Sequence, residues 1–181
     1  MPIQPGTYKL GPDHGTLSVR TERTGAAAKA GHNLLIHVTS WEATLAVGED
    51  PARTSLSLDV DATSLGVIEG TGGMQSLGDN DKESIKNTID DDVLKRKDIE
   101  FRSTQVQAGT DGKLTVRGDL TLVGRANPIT FDLVIGDDGK LTGSAVIKQT
   151  DWKMKPYSAL FGTLKVVDEV VVEIDGSLPT S

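Results

Sequence analysis

The sequence predicts an all-β protein of antiparallel strands, a barrel or a sandwich, accompanied by one helix. Three observations carry this. In residues 113–152, apolar side chains recur at every second position through three successive segments. These are Leu114, Val116, Leu120 and Leu122 with Gly118; Ile129, Phe131, Leu133 and Ile135; and Leu141, Ala145 and Ile147 with Gly143. A period of two gives each strand one buried face and one wet face. Asp111-Gly112 and Asp138-Gly139 punctuate these segments, and Asp-Gly is a strong hairpin signal. About eight strand-like segments and one helical segment occur, without the strand–helix alternation that a parallel sheet requires.

From the N-terminus, residues 7–10 are a short strand candidate, and Gly11-Pro12-Asp13-His14-Gly15 is turn chemistry. Leu17 and Val19 alternate with Ser18 and Arg20 in a second strand. The stretch TERTGAAAKAG reads as a turn or a one-turn helix. Residues 32–47 are extended, with Leu34, Ile36 and Val38 on one parity and Trp41, Ala43, Leu45 and Val47 on the other. Such a switch predicts a bulge or sharp bend near Thr39-Ser40, as at a barrel corner. Leu56, Leu58 and Val60 alternate with Ser55, Ser57, Asp59 and Asp61.

Residues 64–78 are glycine-rich and aperiodic, which predicts a long loop. A helix is expected over about residues 80–92, with Ile85, Ile89 and Val93 as its apolar stripe. Asp79 or Asn80 would cap it, Asp81 and Glu83 suit its positive end, and Asp90-Asp91-Asp92 reads as a solvated end. Ile99, Phe101 and Ser103 begin another strand. Residues 124–128 read as a loop, with Pro128 at its exit or at a strand start. After Trp152 an irregular segment leads to a last apolar strand over residues 166–174.

At 181 residues the chain is expected to be one domain with a sizeable core. It has no cysteine, which excludes disulfides, thiolate metal sites and a cysteine nucleophile. The net charge of -7 and the scattered distribution of nineteen basic residues argue against nucleic acid and against docking on anionic lipid. No apolar run approaches the ~20 residues of a membrane helix, so no stable membrane insertion is expected. The opening MPIQPGTYKL has neither the basic nor the apolar region of a secretory signal. The expected address is the cytoplasm, or the periplasm or exterior if a leader has been removed.

The candidate reactive groups do not converge. His32 and His37 fall on opposite faces of one strand and His14 in a turn, so they do not form a metal set. GVIEGTGG lacks the lysine of a phosphate loop. It reads better as a flap in which Met74 and Leu77 close over a barrel mouth with the Ile85–Ile89 face. Asp151, just ahead of Trp152, reads as a rim carboxylate that pairs with a base or orients a head group. Arg117 and Asp119 read as exposed cross-strand partners. No nucleophile–base pair and no carboxylate pair stands out, so a non-enzymatic role is expected and no cofactor is called for.

Further along, the residues match a known pattern. A strand ending VDATSL is followed by a loop, a charged helix, IEFRST, GKLTVRGDLTLVGRANPITFDL, an Asp-Trp segment and a final VVDEVVVEIDG strand. This order resembles the YceI-like family of polyisoprenoid-binding, or lipid-binding, proteins over nearly the whole chain. The most specific piece is G-D-L-T-L-x-G-x-x-x-P-I-T-F at residues 118–131. Where relatives often carry S-x-x-F-x-V-x-H, this chain reads GTLSVRTERTG. The resemblance implies an extended eight-stranded antiparallel barrel, lipocalin-like, with a helix packed at its side and a long-chain lipid or isoprenoid inside.

The residues then expected to meet that ligand are Leu34, Ile36, Leu56, Leu58 and Val60 from the first half of the chain, with Met74 from the flap. From the second half they are Phe101, Leu120, Leu122, Phe131 and Leu133, with Trp152 and Phe161 near a second mouth. With three Phe, two Trp and two Tyr in the chain, the inner faces are aliphatic and small. Strands of this length give a tunnel roughly 20–25 Å long. A ten-carbon tail buried there gains about 8 kcal/mol gross, at about 0.8 kcal/mol per CH₂. Two other functions stay open. One is an enzyme acting on such a ligand, with His32 or His37 as acid or base. The other is an interaction domain with a filled core. An open strand edge or an apolar mouth would invite a homodimer.

Overall fold

The computed structural model of the chain describes residues 4–25, 32–72, 77–159 and 164–179. The strands of the first half are β1 (Gly6–Leu10), β2 (Gly15–Thr21), β3 (Arg23–Thr24), β4 (Asn33–Val38), β5 (Trp41–Val47), β6 (Ser55–Val60) and β7 (Leu65–Thr71). After helix α1 (Asp79–Thr88) come β8 (Ile99–Ala108), β9 (Lys113–Leu122), β10 (Arg125–Ile135) and β11 (Lys140–Lys148). The chain ends with β12 (Ser158–Ala159), β13 (Leu164–Val166) and β14 (Glu169–Ser177). Among the described residues, eleven strands form one curled antiparallel sheet in the order β1-β5-β6-β8-β9-β10-β11-β14-β2-β4-β7. β12, β13 and β3 form a small separate sheet.

The expected count of about eight differs from eleven because three long strands are bent. β1 and β2 both pair along one edge of the continuous β4–β5 segment. β6 and β7 both pair along its opposite edge. Each pair is one bent strand, and merging the three pairs leaves eight. The pairing path is also closed. β14 pairs with β2, β2 with β4, and β4 runs through its corner into β5. From β5 the path returns by β6, β8, β9, β10 and β11 to β14. This is the lipocalin-like barrel that the resemblance implied, and it settles the choice between barrel and sandwich that the alternating pattern left open.

The parity switch at Thr39-Ser40 is that corner. It is pinned to the corner between β6 and β7, where Ala62–Ser64 forms a 3₁₀ turn. The Thr39 N–H and hydroxyl both donate to the Ser64 carbonyl at 2.9 Å, and the Asp61 N–H donates to the Ser40 carbonyl at 3.1 Å. Bending frees backbone polar groups from the ladder, and these bonds satisfy them.

Several expectations need correction. Residues 64–78 are not one long loop, because residues 65–71 are β7, paired with β4 across a bulge at Leu35/Ile36. Their glycines hid a strand whose inward residues, Leu65 and Val67, are only two. Residues 124–128 are not a loop either. β9 turns into β10 through Val123 and Gly124 alone, both at positive φ (46° and 77°), and Pro128 lies within β10 opposite Asp119. β11 pairs with β10 only from Asp132 onward, so Pro128 sits on a locally unpaired edge where its missing N–H costs no ladder bond. The expected last strand over residues 166–174 is divided between β13 and β14, with the Val167 N–H donating to the Glu22 carbonyl.

The helix with its π-helical end lies within a residue of its expected bounds, but it is capped differently. It begins at Asp79 after an N-cap at Gly78, whose N–H donates to the Asp81 carboxylate at 3.1 Å. It ends in a π-helical turn over Ile89–Val93, where the Leu94 N–H reaches the Ile89 carbonyl at 2.8 Å. Asp90 is therefore not a solvated helix end. It is 4% exposed, and Lys86 Nζ donates to its Oδ2 at 2.9 Å and also to the Thr63 carbonyl. That lysine ties α1 to the β6–β7 corner. On the outer face of the sheet, Arg102 stands opposite Asp119 in register, but its guanidinium pairs with Asp59 on the other side, at 2.8 Å.

The gap between β10 and β11 is filled by the 3₁₀ turn Gln149–Trp152. The Trp152 indole N–H donates to the Leu120 carbonyl at 2.8 Å, and Asn127 Nδ2 donates to the Asp151 carbonyl at 2.8 Å. Trp152 and Met154 are both buried.

Candidate functional site

The barrel encloses a cavity of about 570 Å³, so its bore is not filled by its own side chains. That volume lies within the ~300–1,000 Å³ of small-molecule sites. Its walls follow directly from the strand alternation. β2 contributes Leu17 and Val19, β4 contributes Leu34, Ile36 and Val38, and β5 contributes Trp41, Ala43 and Leu45. Leu56, Leu58 and Val60 come from β6, Phe101 from β8, and Leu120 and Leu122 from β9. The circuit is completed by Ile129, Phe131 and Leu133 of β10, Leu141, Ala145 and Ile147 of β11, and Val170, Val172 and Ile174 of β14.

Several of these inward side chains, among them Leu34, Leu56, Leu58 and Phe131, are only half-buried, as expected where a wall faces open space. Phe101 and Phe131 meet edge to face, ring centroids 5.3 Å apart. Room for them comes from glycine. A β-carbon at Gly118 would collide with Phe101, and one at Gly143 would stand 2.5 Å from Leu133 Cδ2.

The two ends of the bore differ. At the end carrying the Asp111-Gly112 and Asp138-Gly139 turns, Val106, Val116 and Ile135 are 2%, 0% and 4% exposed and lie outside the cavity wall. That end is solid. The other end holds the polar wall residues Thr21, Arg23, His32, Gln149 and Tyr157, together with Ser84 and Thr88 of α1. Ile85 and Ile89, the helix stripe, face the bore there. Two polar atoms of the wall, Thr21 Oγ1 and Trp41 Nε1, are shielded from solvent and have no hydrogen-bond partner among the described residues.

Of the residues expected to meet a ligand, Leu34, Ile36, Leu56, Leu58, Val60, Phe101, Leu120, Leu122, Phe131 and Leu133 all lie on the cavity wall. Trp152 does not. Its indole closes the β10–β11 gap from behind the wall, held by the bond to Leu120. Met74 and Phe161 lie outside the described residues, and so does part of the expected flap. Its Leu77 is half-buried against the core, where its side chain packs on Gly70.

His32 faces the cavity and His37 does not. His14 is bonded locally, its Nδ1 accepting from the Gly11 N–H at 3.2 Å. The Asp151 carboxylate is off the wall and exposed. Sequence reasoning missed Arg23, Thr21 and Gln149. Thr21 alone carried a signal, as the same-parity continuation of Leu17 and Val19.

Titration shifts lie away from the bore. A hydrogen bond from the Thr115 hydroxyl, then Lys113, holds the Asp132 carboxyl below its ordinary range. The Thr63 hydroxyl and N–H do the same for Asp61. Among the described residues, no three His, Cys, Asp or Glu side chains gather as metal ligands, and no helix is long and apolar enough to cross a membrane.

A closed antiparallel barrel with a hollow apolar bore and a single polar mouth defines the lipocalin-like class of binding folds. Within it the chain belongs to the YceI-like domain family, whose sequence pattern it matches over residues 8–178. Solved structures agree on the fold. The chain is similar to BcnA of Burkholderia cenocepacia, at 16% identity and a TM-score of 0.68, covering 92% of this chain and 96% of that one. It is similar to a YceI protein of Campylobacter jejuni, at 17% identity and 0.56, covering 81% and 85%. It also resembles a polyisoprenoid-binding domain from Saccharophagus degradans, at 9% identity and 0.50, covering 96% and 99%. No curated protein matches it by sequence.

Proposed function

We propose that this protein binds and carries, or stores, a long-chain apolar ligand, an isoprenoid or similar lipid, inside its barrel. The observation that carries the reading is the cavity of about 570 Å³ walled by aliphatic side chains from every long strand. Each buried CH₂ adds about 0.8 kcal/mol, so ten carbons supply about 8 kcal/mol gross against the cost of association, and longer chains add to it. Family membership and the similarity to a polyisoprenoid-binding domain point the same way. A binder is favoured over an enzyme because the described wall is mostly aliphatic and carries no Asp or Glu. Ligand contact is assigned to the ten wall residues named above.

The test is native mass spectrometry of protein purified without detergent, followed by organic extraction. A released hydrocarbon-rich species of defined mass is the expected result. A protein that is empty as isolated, and after delipidation takes up neither farnesol nor a C12 amphiphile, would overturn the reading.

A further inference from the structure

We infer that α1 is the movable side of the bore, swinging outward on its π-helical end to pass the ligand and held shut by Lys86; this rests on the carrier reading. The long strands of the wall are tied to their neighbours by ladders of backbone hydrogen bonds. Among the described residues, no backbone hydrogen bond joins α1 to a strand. Yet the helix and its π-helical turn supply Ser84, Ile85, Thr88, Ile89 and Val93 to the cavity wall. No residue of Asp79–Thr88 is buried. Ile85 and Ile89 face inward and are still only partly buried, because what lies before them is open space. A wall segment with little buried surface and no ladder is the part of a fold that opens at least cost.

Among the described residues, the polar tether from α1 to the barrel is Lys86. Its Nζ donates to the Thr63 carbonyl at the β6–β7 corner and to Asp90 Oδ2 at 2.9 Å, so one side chain spans helix, π-helical turn and corner. The tether is incompletely matched. Asp90 is 4% exposed, and its Oδ1 has no partner among the described residues. A nearly sealed carboxylate with one oxygen unpaired opposes the closed position, and water would satisfy it once the helix lifts. The far end of α1 is built to turn. Ile89–Val93 is π-helical, a geometry that accompanies bends and functional sites. Leu94, 5% exposed, anchors the chain after it, and Lys95 and Arg96 follow at φ 54° and 55°. Two successive non-glycine residues in the left-handed region store strain beside the pivot. A ligand closes the way by which it came, since filling the bore buries Ile85 and Ile89 and draws α1 back.

The experiment pins the helix reversibly. A β-carbon at Gly70 of β7 would stand 3.0 Å from Cγ of Leu77, just ahead of α1, so cysteines at both places are within reach of a disulfide. The chain has no cysteine of its own. The new β-carbon also meets His32 Cβ at 3.0 Å, for which the reduced form is the control. The probe is cis-parinaric acid, a fluorescent unbranched chain, chased from loaded protein by excess dodecanol and followed by stopped flow. In Gly70→Cys/Leu77→Cys, release should be about ten-fold slower oxidised than reduced, with affinity within about three-fold. Lys86→Gln should release the probe about ten-fold faster, association rising in step, and hydrogen exchange should quicken more in α1 than in β9. Should the cysteine pair fail to fold or to oxidise, Lys86→Gln decides. Equal release from the oxidised and reduced forms overturns the inference and leaves the carrier reading standing. So does a Lys86→Gln variant whose release is unchanged, or whose exchange quickens equally in α1 and β9. Failure of the wild-type chain to bind the probe removes the carrier reading itself.

Discussion

The ring of Phe101 occupies the space that a side chain at Gly118 would need. A β-carbon built there would stand 2.6 Å from Phe101 Cζ and 2.3 Å from the Arg102 carbonyl oxygen. The neighbouring ladder already carries a bulge between Ser103 and Gln105. Gly118→Ala should therefore destabilise the fold by about 1–3 kcal/mol, because backbone and ring must both shift. Urea unfolding checks this. Phe101→Leu in the same background should recover part of the loss, since a shorter side chain vacates the ring's place.

Trp152 separates stability from binding. Its indole N–H bond to Leu120 is buried, but the side chain is not on the cavity wall. Trp152→Phe keeps most of the packing and removes the indole bond to the Leu120 carbonyl, at an expected cost of about 0.5–1.5 kcal/mol. Affinity for a C12 ligand, measured well below the melting temperature, should stay within about two-fold.

Ala145 separates them in the opposite sense. It is small, half-buried and faces the bore. Ala145→Phe should fill space now open to a ligand. Displacing about three or four methylenes costs about 2–3 kcal/mol of binding at 0.8 kcal/mol each, so affinity should drop at least ten-fold while the urea midpoint hardly moves. Gly143→Phe, two positions away, should instead unfold the protein, because Leu133 already occupies that place.

Lys86 neutralises a carboxylate that is almost sealed off, Asp90 being 4% exposed with its Oδ1 unpartnered. Lys86→Met should cost about 2–3 kcal/mol, somewhat below the ~3–5 kcal/mol of a fully buried broken pair because the lysine itself is about a third exposed. Restoring neutrality in Lys86→Met/Asp90→Asn should recover much of it, and a double-mutant cycle measures the coupling.

Acid should weaken the fold in part through Asp132 and Asp61. Both carboxyls are held below the ordinary aspartate value in the folded chain, by Thr115 and by Thr63 respectively. A depressed folded value means the stabilisation is fully present above the unfolded pKa of about 4 and is lost as pH falls through the folded value. Both groups are solvent-exposed, so the effect is small. Asp132→Asn should flatten the acid limb of a melting-temperature profile and leave the region from about pH 6 to 8 unchanged.

Much of the architecture could be read from parity alone. Leu114 to Leu122 and Ile129 to Ile135 follow the period of two, and inward position and inward side chain coincide in the structure. The bend at Thr39-Ser40 was legible because the apolar set changes parity there. β7 was not, since Gly66 and Gly70 interrupt its pattern and its outer face carries Ile68 and Glu69. Pro128 misled for a physical reason, because a proline belongs inside a strand only where the adjoining edge is bare, and the β10–β11 separation is a tertiary fact. The apolar wall followed from alternation. The polar mouth did not, because Arg23 and Gln149 are set by a two-residue strand and a 3₁₀ turn, elements with no periodicity to detect.

The seam between β2 and β14 has a consequence for synthesis. Arg20 and Glu173, 2.8 Å apart, are 153 residues apart in sequence. The ring is therefore sealed by the first long strand meeting the last, and a nascent chain still missing β14 has no means of closing. Until β14 has emerged from the ribosome, the aliphatic lining lies on an open trough. Assembly should be slow for a chain of this size, and the unfinished trough is the stage most exposed to aggregation or in need of a chaperone.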